Sequence, residues 1–370
     1  MPPTVRELAP SEWTAFKEIR LRALRTEPGV YRARYADAVA RSDAEWEAML
    51  RADDGRVFGL YDGDALVGIG GAFVDHDDPS GTTGVLVMGY VDPAYRGRGG
   101  AKELLDARLY WFGTRRAIRR IRVGRCASNE AMRTLLERRS FRETTRERRD
   151  WHDGGVDDEV SYELTVAPVR DAATIIVARD VPGGIEVYMV RRSASSPAFP
   201  DVYVFPGGTV DASDRVVEGL DALRLAAIRE TFEESGLLFA DTPVSEERLR
   251  AMRTAVLTGT MPFVDAVREL GVRLDTAALH YFARRITPPP ATHRFDARFF
   301  VARAPEGQVA EADAFETYDG RWVRPDEMLA AAERRDAGLA NPTRRYLTRI
   351  RDVRDVASLI ALAAASAPPD

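Results

Sequence analysis

Two periodicities alternate along the first half of the chain. Trp13, Phe16, Ile19, Leu21 and Leu24 recur at helical spacing after Pro10 and Ser11. Ser42-x-x-Glu45 is a capping box, which predicts a second helix that buries Trp46 and Leu50. Strands are predicted at 4–8, 57–61, 66–74 and 85–91, the middle pair joined through Asp62-Gly63-Asp64, a hairpin signal. A glycine-rich turn then opens a helix at 100–114. A strand at 118–125, a helix at 129–139 and two strands reaching about 166 complete an α+β unit around a mostly antiparallel sheet.

A new strand at 173–178 begins just after Ala167-Pro168-Val169, which places the domain boundary there. Pro182-Gly183-Gly184 turns into a strand at 185–190, and a strand signal returns at 202–205. Helices are predicted at 221–235 and over 245–270, strands at 281–286 and 295–302 around a Pro-rich turn, and a closing helix after Asn341-Pro342. Two domains follow, 1–166 and 171–365, as a length of 370 residues also suggests.

Composition narrows the class. With 45% hydrophobic and 30% charged residues the chain reads as globular, and no apolar run reaches the roughly 20 residues that span a bilayer. Its N-terminus lacks the basic start and apolar stretch of a secretory signal. Cys126 is the only cysteine, so neither an intrachain disulfide nor a thiolate cluster can form, and a cytoplasmic location is expected. A net charge of −5 counts against nucleic acid as a partner and leaves small molecules. Residues 108–149 nevertheless hold 14 arginines against four acids. These are either a polyphosphate or nucleic-acid surface or, for most of them, solvated helix faces.

The first candidate chemistry stands in Arg229-Glu230-Thr231-Phe232-Glu233-Glu234-Ser235-Gly236-Leu237. On a helix, Glu230, Glu233 and Glu234 share one face, where like charges repel. A divalent cation resolves that repulsion, and Mg²⁺ or Mn²⁺ favours such hard oxygen ligands. The alternative is a solvated acidic face. Upstream, Phe205-Pro206-Gly207-Gly208 is a tight turn whose carbonyls can approach a metal or phosphate. Arg229 can brace the carboxylates, and Gly236 ends the helix.

This segment resembles the Nudix box, G-x5-E-x7-R-E-U-x-E-E-x-G-U. The resemblance implies an α/β/α sandwich in which Gly208, Glu230, Glu233 and Glu234 hold Mg²⁺ or Mn²⁺, with Glu233, Glu234 and Arg229 in the catalytic set. Thr231 replaces the usual aliphatic residue, Asp221 stands where the earlier glutamate is expected, and the stretch from Gly208 to Asp221 is longer than the family spacing. That insertion, with ARRITPPPATHRFDARFF and RWVRPDEM, resembles the coenzyme A diphosphatase branch. Cleavage of CoA or acyl-CoA to adenosine 3′,5′-bisphosphate and (acyl-)phosphopantetheine is implied. NADH, ADP-ribose or nucleoside triphosphates are the alternative substrates. Glu316 is a candidate extra metal-binding or general-base carboxylate, with Glu311 and Asp313 as competitors, and Arg294 and Arg298 are candidates for the substrate's 3′-phosphate.

The second candidate is Val91-Asp92-Pro93-Ala94-Tyr95-Arg96-Gly97-Arg98-Gly99-Gly100-Ala101. Its glycines let backbone N–H groups converge on an anion at a helix N-terminus, with Arg96 and Arg98 adding charge. The turn resembles the pyrophosphate-binding motif of GNAT acetyltransferases, and Asn129 in SNEAMRTLLERRSF matches the later family asparagine near the CoA arm. Val91, Arg96, Gly97, Arg98, Gly99, Gly100, Ala101 and Asn129 are thereby implied to bind acetyl-CoA as cosubstrate. The family's general-acid tyrosine is replaced by Leu136, Ser140 replaces a glycine, and 85–91 offers no glutamate base. The first half is therefore either an N-acetyltransferase with an unspecified amine acceptor or a CoA-binding sensor. No sequence feature indicates an oligomeric state.

Overall fold

The computed structural model describes residues 3–196, 200–217, 219–313 and 317–366. Contacts divide the chain into two units: Met1–Pro168 with Ile286–Arg294, and Val169–Arg285 with Phe295–Asp370.

The first unit carries a seven-stranded sheet in the order β1 (Thr4–Glu7), β2 (Gly55–Asp62), β3 (Ala65–Val74), β4 (Thr83–Val91), β5 (Arg120–Cys126), β7 (Val156–Thr165), β6 (Arg142–Asp150). Every pairing is antiparallel except β4 with β5, which is parallel and extends only from Thr83↔Arg120 to Val85↔Arg122. Beyond Val85 the two strands part. The β2–β3 hairpin pairs Asp62 with Ala65, and Gly63 takes φ +59 in the turn, as a two-residue loop requires.

Helices α1 (Trp13–Thr26) and α3 (Asp43–Arg51) bury Phe16, Ile19, Leu24 and Trp46 in one apolar cluster. The capping box forms as predicted: Ser42 Oγ accepts from the N–H of Glu45, and Glu45 accepts from the N–H of Ser42. A second cluster is built from α4 (Gly100–Gly113) and α5 (Glu130–Glu137), with Leu104, Leu109, Phe112 and Leu136 against Ile121 and Tyr162. A short helix, α2 (Tyr35–Val39), was not predicted; its five residues are too few to show a period.

In the second unit the sheet order is β10 (Tyr203–Val204), β9 (Gly184–Arg192), β8 (Val169–Val181), β13 (Arg294–Arg303), β12 (His280–Ile286), with β11 (Gly207–Thr209) on β8 and β14 (Thr317–Val323) on β9. One cluster joins this sheet to α6 (Ala222–Ser235), α7 (Glu246–Leu257) and α8 (Phe263–Leu270). Another joins it to α9 (Pro325–Glu333), α10 (Asn341–Ile350) and α11 (Val356–Ala364), which makes the expected sandwich. The helical stretch predicted over 245–270 is two helices. Gly259 at φ +69 and Pro262 at the start of α8 break it. Strand β14 escaped prediction because Asp319, Gly320 and Arg321 interrupt its alternation.

Among the described residues no helix is long and apolar enough to cross a membrane. Much of the arginine-rich charge is met locally. Arg133 pairs with Glu130 and Glu137, Arg139 with Asp106, Arg146 with Glu143 and Asp158, and Arg149 with Glu159. For these residues the solvated, paired face is the structure's answer.

Candidate functional site

Helix α6 is the centre of the second unit's chemistry. Asp221 caps its start by accepting the N–H of Arg224 at 2.9 Å, and Gly236 ends it in the left-handed conformation at φ +78. Asp221, eight positions before Arg229, therefore serves as a helix cap. The carboxylate that meets Arg229 is Asp214, whose Oδ1 and Oδ2 accept from Nε and Nη2 at 3.0 Å each. This is a bidentate fork, with Asp214 1% exposed. Asp214 lies six positions after Gly208, so the G-x5-acid spacing is intact and the inserted residues fall between Asp214 and Arg229.

Arg229 serves the whole array. Its Nη1 donates to Glu230 at 3.0 Å and Glu233 at 3.1 Å, and its Nη2 donates to the carbonyl of Thr209 at 2.9 Å. Burial opposes its charge, but the carboxylates of Asp214, Glu230 and Glu233 outweigh it and hold the guanidinium firmly protonated. Arg253, on α7, adds a second brace that the sequence did not announce. It donates to the carbonyls of Glu233 (3.0 and 2.9 Å) and Glu311 (2.9 Å), tying down the end of the glutamate helix.

The glycine turn closes over the same face. The N–H of Gly207 donates to Glu234 Oε2 at 2.9 Å. A Cβ on Gly208 would come within 2.3–2.4 Å of the Glu230 carboxyl group, so only glycine leaves that carboxylate in place. Burial, followed by the charge of Glu230, raises the Glu234 carboxyl well above the usual range, and burial also raises Glu233.

Among the described residues no three carboxylate, imidazole or thiolate groups stand close enough together to hold a metal ion. Arg229 accounts for part of this spacing, since it draws Glu233 toward itself while Glu234 turns to Gly207. The donor chemistry nonetheless fits Mg²⁺ or Mn²⁺: three carboxylates and the Gly208 backbone on one face, two of them held in a buried setting that disfavours free negative charge.

Of the remaining candidates, Glu316 lies outside the described residues. Asp313, 8% exposed, accepts from the N–H and Oγ1 of Thr317 at 3.1 Å, and its charge contributes to the shift of Glu234. Arg298 pairs with Asp296, which is buried and also takes a bidentate bond from Arg284. Arg294, the first residue of β13, is grouped by its contacts with the first unit. It is 3% exposed and donates to the carbonyls of Thr287, Ala167 and Gly113 at 2.9, 2.8 and 2.7 Å. A cavity of about 330 Å³ elsewhere in the second unit, lined in part by Arg224, His280 and Tyr281, includes none of the glutamates.

In the first unit, β4 runs through Val91 into a turn and then α4. Gly97 and Gly99 take φ +75 and +85, and Gly99 caps α4. The N–H groups of Gly97, Arg98 and Gly99 take no acceptor among the described residues, leaving donors at a helix start. Gly100 is buried against Leu60, while Ala101 is exposed. Arg96 is exposed but already engaged: its Nε donates to the carbonyl of Val91 at 2.8 Å and its Nη2 pairs with Glu27. Arg98 donates to Ala94 at 3.3 Å and remains exposed. Asn129 caps α5, accepting the N–H of Met132 at 3.1 Å. Leu136 is fully buried in the core, so no hydroxyl stands at that place.

Comparison with known proteins agrees with this division. The acetyltransferase (GNAT) family model matches residues 13–141, and the NUDT19 Nudix domain model matches residues 216–350. A putative nudix hydrolase 7 of Caenorhabditis elegans is 28% identical over 190 residues, 50% of this chain and 62% of that protein. The acyl-coenzyme A diphosphatase NUDT19 of Xenopus laevis is 24% identical over 204 residues, 39% of this chain and 54% of that protein. The chain therefore spans less than two thirds of these relatives. Among solved structures, a NUDIX hydrolase from Alicyclobacillus acidocaldarius is 28% identical with a TM-score of 0.44, covering 53% of this chain and 97% of that one.

Proposed function

We propose that this chain, which carries a GNAT acetyltransferase-family domain followed by a Nudix domain of the NUDT19 type, is a divalent-metal-dependent diphosphatase of CoA or acyl-CoA joined to a CoA-binding domain. The observation that carries the reading is the Glu230, Glu233 and Glu234 face, wired by Arg229 to Asp214 and covered by the Gly207–Gly208 turn. Bound Mg²⁺ or Mn²⁺ would supply Lewis acidity to a pyrophosphate oxygen and acidify an attacking water. The chain's own part is to hold the carboxylates in register, exclude water around Glu234 and neutralise surplus charge through Arg229. Asp313 is the described loop carboxylate electrostatically coupled to Glu234 and is assigned as the accessory acid or base, alongside Glu316.

CoA as the substrate class is supported by the NUDT19-type match and by the name of the frog relative. A panel of CoA, dephospho-CoA, NADH and ADP-ribose with the full chain and Mg²⁺ tests it. Preferred cleavage of CoA to adenosine 3′,5′-bisphosphate supports the reading, and better cleavage of the other three removes it.

In the first unit the turn at 96–101 is assigned to the pyrophosphate of an acyl-CoA. A second reading, that this unit senses CoA without transferring an acyl group, is favoured by the buried Leu136 at the general-acid position. Transfer of acetyl to amine-bearing compounds by the full chain would decide for the enzyme.

A further inference from the structure

Arg108 is a feature of the first unit that neither reading uses. It lies on the buried face of α4, 3% exposed, between Leu104 and Phe112. Among the described residues its Nε donates to the carbonyl of Leu104 at 2.9 Å, and no carboxylate accepts from it. Burial alone acts on its charge, lowering its pKa to about 10. An isolated buried cation is costly, and a sequence selected only for stability would place an apolar residue there.

The sheet makes room for it. A Cβ on Gly70 would fall 2.9 Å from the guanidinium, and a Cβ on Gly89 would face its Nη1 at 3.9 Å. Both glycines lie at a bulge where the β3–β4 register slips and Met88 takes φ +57. Gly89 also lies on the stretch of β4 beyond Val85 that has parted from β5, so its edge borders the opening between the strands. From the turn at Gly99 to Arg108 is nine residues of helix, about 14 Å of rise. An extended pantetheine arm anchored on the turn covers such a distance along the same edge.

We propose that Arg108 docks a substrate carboxylate at the thioester end of the CoA arm, so that the first unit takes a dicarboxylic acyl-CoA or, with a neutral acyl group, a carboxylate-bearing acceptor. The inference rests on the reading that this unit binds CoA. A carboxylate satisfies the free Nη1 and Nη2 groups and the buried charge together, which a neutral acetyl group does not.

The test uses the full chain carrying Glu234→Gln, in chelator, so that ligands survive. Calorimetry compares CoA, acetyl-CoA and succinyl-CoA, and then glycine and glutamate titrated into the acetyl-CoA complex, with and without Arg108→Met. The expected result is succinyl-CoA bound at least tenfold more tightly than acetyl-CoA, with Arg108→Met erasing the difference and leaving CoA unchanged. If instead only the amino-acid titration responds to Arg108→Met, the carboxylate comes from the acceptor. If neither ligand class responds while CoA still binds, the proposal is overturned and the CoA reading stands. Absence of CoA binding to the first unit removes both. Thermal melting separates docking from packing. Ligand-free Arg108→Met melts at or above the parent if the charge is kept for a ligand, whereas a lowered melt with unchanged binding assigns Arg108 to the core and overturns the proposal.

Discussion

The two units treat a buried arginine in opposite ways. Arg229 in α6 meets Asp214, Glu230, Glu233 and a backbone carbonyl, so its charge is answered several times over. Arg108 in α4 is as deeply buried and meets one carbonyl. Each stands on its helix's inner face, beside glycines that leave space for a carboxylate or a guanidinium. The acids in the second unit exceed what one arginine neutralises, and the surplus negative charge suits a cation. Among the described residues no carboxylate accepts from Arg108, and the surplus there is positive. The sign of the unmet charge matches the ligand proposed for each centre: metal at one, carboxylate at the other.

The sharpest way to break this contrast is to remove the answering acid. Asp214→Ala removes the bidentate partner of Arg229 in a buried place; Glu230 and Glu233 still meet the charge, and the lost charge-assisted bonds cost about 1.5–3 kcal/mol. Denaturant unfolding of the second unit should shift by that amount, whereas Arg108→Met in the first should not destabilise. Equal, small effects from both would dissolve the distinction.

Gly208→Ala acts next. The added methyl must push the Glu230 carboxyl group aside, a movement a flexible side chain can make without unfolding the domain. Turnover should fall by roughly 10–100-fold, as for displaced metal-site groups, with the melting temperature nearly unchanged. Full activity in a folded Gly208→Ala protein would detach Glu230 from the site.

The surplus negative charge predicts a coupled response to pH and metal. Burial raises the Glu233 and Glu234 carboxyls, so the metal-free folded state holds protons that the unfolded chain gives up around the ordinary value of 4.5. Their contribution to the second unit's stability is therefore present below about 4.5 and lost as pH rises through the raised folded values. Saturating Mg²⁺ should restore it, so the Mg²⁺-induced rise in melting temperature is larger near pH 8 than near pH 5. A rise that shrinks with pH would contradict the sign.

Thr231 gives a smaller, uncharged case of the same principle. It is fully buried beside Arg229, and its hydroxyl has no partner among the described residues. Thr231→Val, nearly the same shape without the hydroxyl, should stabilise the second unit by about 1 kcal/mol in chemical unfolding. Destabilisation by as much would mean that the hydroxyl is satisfied.

Local signals in the sequence carried most of the fold. The i, i+3, i+4 glutamates, the Ser42–Glu45 box, the Asp62–Asp64 hairpin and Gly236 act over a few residues, and each is where its spacing puts it. What the sequence hid was pairing across distance. Arg229 reaches 15 residues back to Asp214, past an insertion; counting eight residues back from the arginine gives Asp221, whereas Gly208 plus six positions marks Asp214. Arg294 is a candidate for the substrate's 3′-phosphate by its place beside the strand 295–302, and nothing in the sequence marks its hydrogen bonds to the carbonyls of Gly113 and Ala167. Arg108 disappeared into an arginine-rich run read as solvated charge. Its position four residues after Leu104 and four before Phe112, on the apolar stripe of α4, was the available sign of burial.

The central claim is that the glutamate face of α6 performs metal-dependent cleavage of a CoA pyrophosphate. Its most direct test is to follow CoA by chromatography with the full chain and with Glu234→Gln, each with Mg²⁺ and with chelator. The account predicts adenosine 3′,5′-bisphosphate and phosphopantetheine from the parent with Mg²⁺ alone, and turnover lower by about 100-fold or more in Glu234→Gln. Cleavage that persists in chelator, or that Glu234→Gln leaves intact, would contradict it.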